Sequence, residues 1–374
     1  MKNRIYKYFF YEFISYFSIV LFALTSIIWT IQAVNYLDLV TDDGHAFAIY
    51  LYYSTLTLPK IITKLIPFSF LLATFLTITK LDKDNELIVL WTSGLNKIYI
   101  VNLFFRISIL IMLIQLFMTS IITPETLNYS RSVLKNSQLQ FVPSLLKEKQ
   151  FNDTIKHLTV FVDNKKENGE YENIFIRDDS SILTKVSSGS STIFAKRGYL
   201  TSDEKNLILV DGVIQKIDGD ETVNIISFEE TTLNLLGLST KTISKPKLQE
   251  TSTLKIYNCL SGISIETHNC NPGEKEMSNA KIEMNKRIGM PFFIPLISLI
   301  SCFLLGTKKR KKFSAMQKYF CFFSSVIVLV ASEITVRYSG ASLIYATTYY
   351  LIPIGLLPLV YFLLIKKFKY ENLS

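Results

Sequence analysis

Asp84-Asn85-Glu86-Leu87-Ile88-Val89-Leu90-Trp91-Thr92-Ser93-Gly94 decides how the rest of the chain is read. It is a short apolar run, led by carboxylates and closed by glycine, and it joins two long hydrophobic segments. A connection between membrane helices has no need to be apolar unless something covers it. Glu86 at its start suits the positive end of a helix dipole. Gly94 can take the left-handed conformation that ends a helix. The stretch predicts a small helix offering Leu87, Leu90 and Trp91 to a partner. The alternative is an interfacial helix lying on lipid headgroups.

Working outward, three long apolar runs lie in the first third of the 374 residues, near 9–34, 56–79 and 98–122. Three more lie in the last quarter, near 288–306, 319–336 and 346–365. Each approaches the ~20 residues that cross a bilayer core as a helix. The first is too long for a signal-peptide core, and no small-residue cleavage site follows it. Basic residues cluster at one set of ends: Lys2, Arg4 and Lys7; Lys80, Lys83 and Lys97; Lys308, Lys309, Arg310, Lys311, Lys312 and Lys318; Lys366, Lys367 and Lys369. The loop 35–49 carries Asp38, Asp42, Asp43 and His45 but no lysine or arginine. The positive-inside rule then places both termini in the cytoplasm and the long middle region outside it. From Glu125 to Arg287 there are 21 basic and 22 acidic residues, so the net charge of +9 belongs to the membrane part. It is a topology signal and an attraction to anionic lipid, not the footprint of a nucleic-acid groove.

The middle region reads as short strands: 156–163, 173–177, 181–186, 192–195, 207–210, 213–217 and 224–228. Turn signals separate them at Asn168-Gly169, Asp178-Asp179, Ser188-Gly189, Asp211-Gly212 and Asp218-Gly219-Asp220. Many short strands at such spacing suggest an all-β sandwich or jelly roll. An open edge on such a domain could accept a strand from a similar domain. The expected architecture is an α+β membrane protein of six transmembrane helices, three and three, around an inserted extracytoplasmic jelly-roll-like domain. Its parts are 1–123, with the small helix at 84–94; 124–285; and 286–374. Cys302 and Cys321 fall in spans and read as small apolar residues. Cys259 and Cys270 lie where disulfides persist, and a bridge between them would staple a segment of little regular pattern.

Catalytic signatures are missing from the sequence. There is no G-x-x-x-x-G-K-[ST], no H-E-x-x-H, no C-x-x-C and no G-x-S-x-G. His45, His157 and His268 lack metal-ligand spacing, so no metal site is expected. Charges inside the spans say more. Lys60 and Lys64 lie four apart on one helical face between Pro59 and Pro67. They either snorkel to the outer headgroups or hold an anionic lipid headgroup. Glu333 and Arg337 suggest an i,i+4 pair.

Six spans split around a large β-domain, with the quoted stretch, resemble the LptF/LptG permease family of the lipopolysaccharide export ABC transporter. Leu58-Pro59, Leu65-Ile66-Pro67 and Leu72 are similar to its second span. Leu81, Asn85-Glu86-Leu87-Ile88-Val89-Leu90 and Ser93-Gly94 are similar to its coupling helix, whose glutamate contacts the ATPase. Ile193-Phe194-Ala195, Gly198, Leu207-Ile208-Leu209 and Asp211-Gly212 resemble its β-domain, and Lys286-Arg287-Ile288, Pro291, Pro295-Leu296 and Leu305-Gly306 its fourth span. The short amino terminus and the β-domain look more LptF-like. One departure is the first span's outer end, Ile31 to Asp38, which has no basic residue. The resemblance implies a permease subunit with no cofactor of its own, ATP being hydrolysed by a cytoplasmic ATPase dimer. Its other implied partners are a paralogous LptG-like permease subunit, a periplasmic bridge protein of similar β-fold, and lipopolysaccharide. It implies the bacterial inner membrane, and ATPase coupling by Glu86, Leu87, Leu90, Trp91 and Gly94. The rival class is a membrane-anchored sensor or assembly scaffold, which predicts a signalling domain that the sequence does not contain.

Overall fold

A computed structural model describes residues 2–41, 47–136, 146–153, 158–166, 169–179, 190–201, 206–217, 223–234, 247–262, 274–306 and 311–371. Six helical runs are long and apolar enough to cross a membrane: Arg4–Val40, Phe47–Lys83, Lys97–Leu134, Glu276–Leu305, Met316–Tyr338 and Leu343–Lys369. All six are longer than the apolar runs read from the sequence. Hydropathy marks only the greasy part of a helix, whereas backbone hydrogen bonds continue through polar turns. Helix α1 (Lys2–Asn35) has 34 residues, about 51 Å at 1.5 Å per residue, against ~30 Å of hydrocarbon.

Beyond a one-turn helix at Asp38–Thr41, the longer helices among the described residues are α2 (Phe47–Leu56), α3 (Leu58–Lys83), α4 (Glu86–Thr92), α5 (Lys97–Phe117), α6 (Thr123–Asn136), α7 (Thr253–Leu260), α8 (Glu274–Gly289), α9 (Phe293–Cys302), α10 (Lys311–Tyr338) and α11 (Leu343–Glu371). A π-helical turn, Met118–Ile122, joins α5 to α6. The chain divides into two compact units, one of residues 1–30, 57–128 and 247–374, the other of 31–56 and 129–246.

In the first unit α9 is the centre. Its sequence, Phe-Ile-Pro-Leu-Ile-Ser-Leu-Ile-Ser-Cys, is apolar all round, and nine of its ten side chains are buried, as expected for a helix enclosed by others. Helices α3, α5, α10 and α11 surround it. Phe13, Phe70 and Phe104 interlock edge to face, with ring centroids 5.3 and 6.2 Å apart, and tie α1 to α3 and α5. Phe22, Phe320 and Phe362 stay exposed on the outer helices.

The second unit holds one antiparallel sheet in the order β1 (Leu158–Lys165), β2 (Glu170–Asp178), β3 (Ser191–Leu200), β4 (Asn206–Ile217), β5 (Val223–Asn234). The β-domain is therefore present, but the described strands form a meander. No Greek-key return or second sheet of a jelly roll occurs among the described residues. The segment 181–186, expected as a strand, lies outside them. The runs 207–210 and 213–217 are not separated by a turn; both belong to β4. Asp211 instead sits inside that strand at φ 55°. Asn173, at φ 52°, does the same in β2. The ladders skip one pair, yet keep their register, along the row Asp163, Asn173, Lys196, Asp211 and Glu229. The turn-like signal of Asp211-Gly212 thus marks a break in pairing that crosses all five strands.

Strand alternation sorts the two faces. Leu158, Val160, Val162, Ile174, Ile176, Ile193, Leu207 and Leu209 are buried together. Phe161, Phe175 and Phe194 line the other face in one cross-strand row, with Phe151 stacked on Phe161 at 4.6 Å.

Candidate functional site

Two features of the first unit lie at opposite ends of α3. One is the small helix α4, whose presence agrees with the sequence. Ser93 is its last cap residue, and Gly94 follows at φ 79°. The Gly94 N–H donates to Trp91 O at 3.1 Å and the Leu95 N–H to Leu90 O at 3.1 Å. This pair of bonds closes the helix with a left-handed glycine.

The facing of α4 differs from expectation. Leu87 is buried, and Leu90 and Trp91 pack against the same core of this chain. Residues 87, 90 and 91 do share a helical face, but that face is turned inward. Ile88 and Val89 are the exposed apolar residues, at 55% and 64%. Periodicity groups side chains onto faces; which face meets the core is set by neighbouring helices. Those neighbours hold the loop firmly. Tyr8 of α1 donates to Glu86 Oε1 at 3.0 Å. Glu12 of α1 pairs with Lys80. Lys318 of α10 lies 3.0 Å from Asp82. Lys97 is buried, with its ammonium 5.7 Å from the Trp91 ring and 5.6 Å from the Phe368 ring. Arg4, Ile5, Tyr8, Phe9, Asp84, Glu86, Val89 and Leu90 line an open groove of about 420 Å³.

The second feature is a cavity of about 300 Å³ where Lys60, Lys64, Gln115, Thr123, Lys286 and Arg287 are brought together. Pro67 explains much of its shape. A proline inside a helix has no N–H for the carbonyl four residues earlier, which is Thr63 O in α3. Gln115 of α5 supplies the missing donor: its Nε2 lies 3.3 Å from Thr63 O. A carbonyl can only accept, so this contact fixes which end of the amide is nitrogen. Gln115 Oε1 is left buried without a partner, as is Thr123 Oγ1.

Arg287 is the other organiser. It is 4% exposed. Nε donates to Glu283 Oε1 at 3.0 Å, Nη1 to Thr251 O and Thr253 Oγ1 at 2.9 and 3.0 Å, and Nη2 to Leu248 O and Gln249 O at 3.1 and 3.3 Å. These engage all five guanidinium N–H groups and clamp residues 248–253 onto α8. Thr119 Oγ1 in turn donates to Arg287 O at 3.0 Å. Glu333 bonds to Lys286 of α8 rather than to Arg337. The carboxylate turns toward the cavity, whereas Arg337 is exposed one turn further along α10.

Cys259 is buried in α7; Cys270 lies outside the described residues. The roles of Tyr8, Gln115 and Arg287 were not read from the sequence. Gln115 carried a usable signal, an amide deep inside an apolar run.

Comparison with known proteins agrees with this architecture. The RP871 protein of Rickettsia prowazekii (strain Madrid E), described as uncharacterized, is 28% identical over 238 residues. The match covers 63% of this chain and 64% of that relative's length, less than two thirds of it. Residues 7–367 match the family described as lipopolysaccharide export system permease LptF/LptG. The match takes in all but the ends of the 374 residues, so the chain belongs to the LptF/LptG family of lipopolysaccharide export permeases.

Proposed function

We propose that this chain is the permease subunit of an ABC transporter that extracts lipopolysaccharide from the bacterial inner membrane and passes it toward the outer membrane. The observation that carries the coupling role is the short, glycine-closed helix α4, held by Tyr8 and presenting Ile88 and Val89 beside Glu86. A rigid helix with an exposed apolar tip and a carboxylate suits an ATPase that pushes on it. ATP is then hydrolysed by a cytoplasmic ATPase dimer, and this chain needs no cofactor.

The basic clusters favour cytoplasmic termini and a periplasmic β-unit. The exposed Phe22, Phe320 and Phe362 on the outer helices suit an apolar wall shared with an LptG-like paralogue. Acyl chains fill such a space because its walls replace the bilayer. The aromatic row Phe161, Phe175 and Phe194 offers the chains an apolar surface on the sheet. The exposed edge strand β5 suits a periplasmic bridge protein of similar β-fold.

Glu86→Lys is the test. It should abolish copurification of the ATPase from native membranes while the chain still inserts and accumulates, since a charge reversal in a partly buried contact costs a few kcal/mol. Undiminished ATPase recovery would refute the coupling role.

A further inference from the structure

Four basic side chains line the cavity at the far end of α3, but two of them are already engaged. Every N–H of Arg287 donates within the chain, and Lys286 pairs with Glu333. Lys60 and Lys64 have no carboxylate within 4.0 Å among the described residues. Gln115, 2% exposed, lines the same cavity, and its Oε1 is buried and unpartnered because Nε2 is held by Thr63 O. Thr123 Oγ1 is a second buried oxygen without a partner on the same wall. Pro67, Leu127 and Met290 supply the apolar remainder. An unpaired ammonium and an orphaned carbonyl each cost free energy. The two carboxylates of the lining, Glu283 and Glu333, are held by Arg287 and Lys286, so the site lacks an anion for Lys60 and Lys64 and a hydrogen-bond donor for Gln115 Oε1.

We propose that this cavity, built within a single subunit, binds a phosphate ester that carries hydroxyl or amine donors. The phosphate oxygens lie on Lys60 and Lys64, and two neighbouring hydroxyls donate, one to Gln115 Oε1 and one to Thr123 Oγ1. The volume of about 300 Å³ equals about ten waters at ~30 Å³ each. That is room for a phosphoglycerol-sized group but not for acyl chains. The chemistry is shared by a glycerophospholipid headgroup and by a soluble glycerol phosphate. This rests on the membrane-permease reading but not on ATPase coupling, and the ATPase is absent from its test.

The full-length chain, purified in non-denaturing micelles, is offered equal amounts of dioleoylphosphatidylglycerol and dioleoylphosphatidylcholine and analysed by native mass spectrometry. Phosphatidylglycerol, with its hydroxyls, should be retained about tenfold or more over phosphatidylcholine, which has none. Lys60→Gln with Lys64→Gln should remove the preference, and Lys60→Arg with Lys64→Arg should keep most of it. Displacement of phosphatidylglycerol by millimolar glycerol 3-phosphate identifies a soluble source, and persistence of the selective adduct identifies a lipid. Equal retention of the two lipids by the unmodified chain overturns the proposal, and this outcome depends on no variant folding. So does an undiminished preference in the double glutamine variant.

Discussion

Gln115→Leu and Pro67→Ala form a double-mutant cycle that tests how the bundle is built. In the native chain Pro67 deprives Thr63 O of its helical donor, and Gln115 Nε2 replaces it from α5 at 3.3 Å. Both side chains are buried. Gln115→Leu leaves a buried carbonyl unpaired, which costs about 1–3 kcal/mol. Interhelical hydrogen bonds in membranes average only ~0.6 kcal/mol, because the unfolded chain in lipid finds other partners. The backbone carbonyl here has no such substitute inside a formed helix, so about 1–2 kcal/mol is the working value. Pro67→Ala restores the N–H, which now bonds to Thr63 O within α3. On its own it strands the Gln115 amide, so it should be neutral to mildly destabilising. Together the two changes leave neither group unpaired. The double variant should regain most of what Gln115→Leu loses, with an interaction energy of about 1 kcal/mol or more. Reversible unfolding in mixed micelles titrated with dodecyl sulfate measures each corner of the cycle. Additivity to within ~0.5 kcal/mol would refute the reasoning.

Arg287→Leu should free the 248–253 segment. Breaking a buried, fully bonded charge costs about 3–5 kcal/mol, so hydrogen exchange of the 247–260 amides should rise by about two decades or more. A rise under tenfold would show the clamp to be redundant. Leu87→Ala should destabilise the bundle by about 2–4 kcal/mol, while Ile88→Ser with Val89→Ser leaves the melting temperature unchanged and weakens ATPase capture; the reverse pattern would restore the outward facing of Leu87. Gly212→Val should disrupt the sheet, because a Cβ there meets the Phe228 ring and Phe194 O; an unaltered melting profile of the full chain would contradict that packing. Cysteines at Gly44 or Asp220 should react with an impermeant thiol reagent on spheroplasts, and one at Arg310 only from the cytoplasmic face. Opposite labelling would invert the proposed orientation.

The spans and the small helix were legible because their causes are local. A run of about twenty mostly apolar residues, or a glycine just past the end of a short apolar helix, needs no knowledge of neighbours: the first is a hydropathy fact, and the second needs only a left-handed residue at a helix end. The strands were legible for the same reason, since β-branched alternation is local. Turn chemistry misled at Asp211-Gly212, where a residue tolerant of positive φ serves a break in the ladder and not a reversal of the chain. The facing of α4 was not legible, because Leu87 and Ile88 are equally apolar and only α1 and the other helices around them decide which is covered.

The cavity shows most clearly what sequence patterns leave out. Lys60 and Lys64 stand out as charges in an apolar run, and Lys286 and Arg287 stand out beside them as a basic pair. By charge alone all four are equal candidates to hold an anion. What separates them is where their hydrogen bonds go. Arg287 is fully engaged by a segment some 36 residues earlier and Lys286 by a glutamate 47 residues later. The polar atom that completes the site, Gln115 Oε1, is unpaired only because Pro67, 48 positions upstream, withholds an N–H from Thr63 O. A proline chosen for one helix thus determines the hydrogen-bonding demand of another. Restoring the N–H at 67 should therefore let the Gln115 amide turn its nitrogen to the cavity, exchanging an acceptor for a donor. The Pro67→Ala chain should then lose its preference for phosphatidylglycerol over phosphatidylmethanol, an anionic lipid without hydroxyls, while its lysines still retain both over phosphatidylcholine, and an unchanged preference between the two anionic lipids would show that Gln115 does not face the ligand.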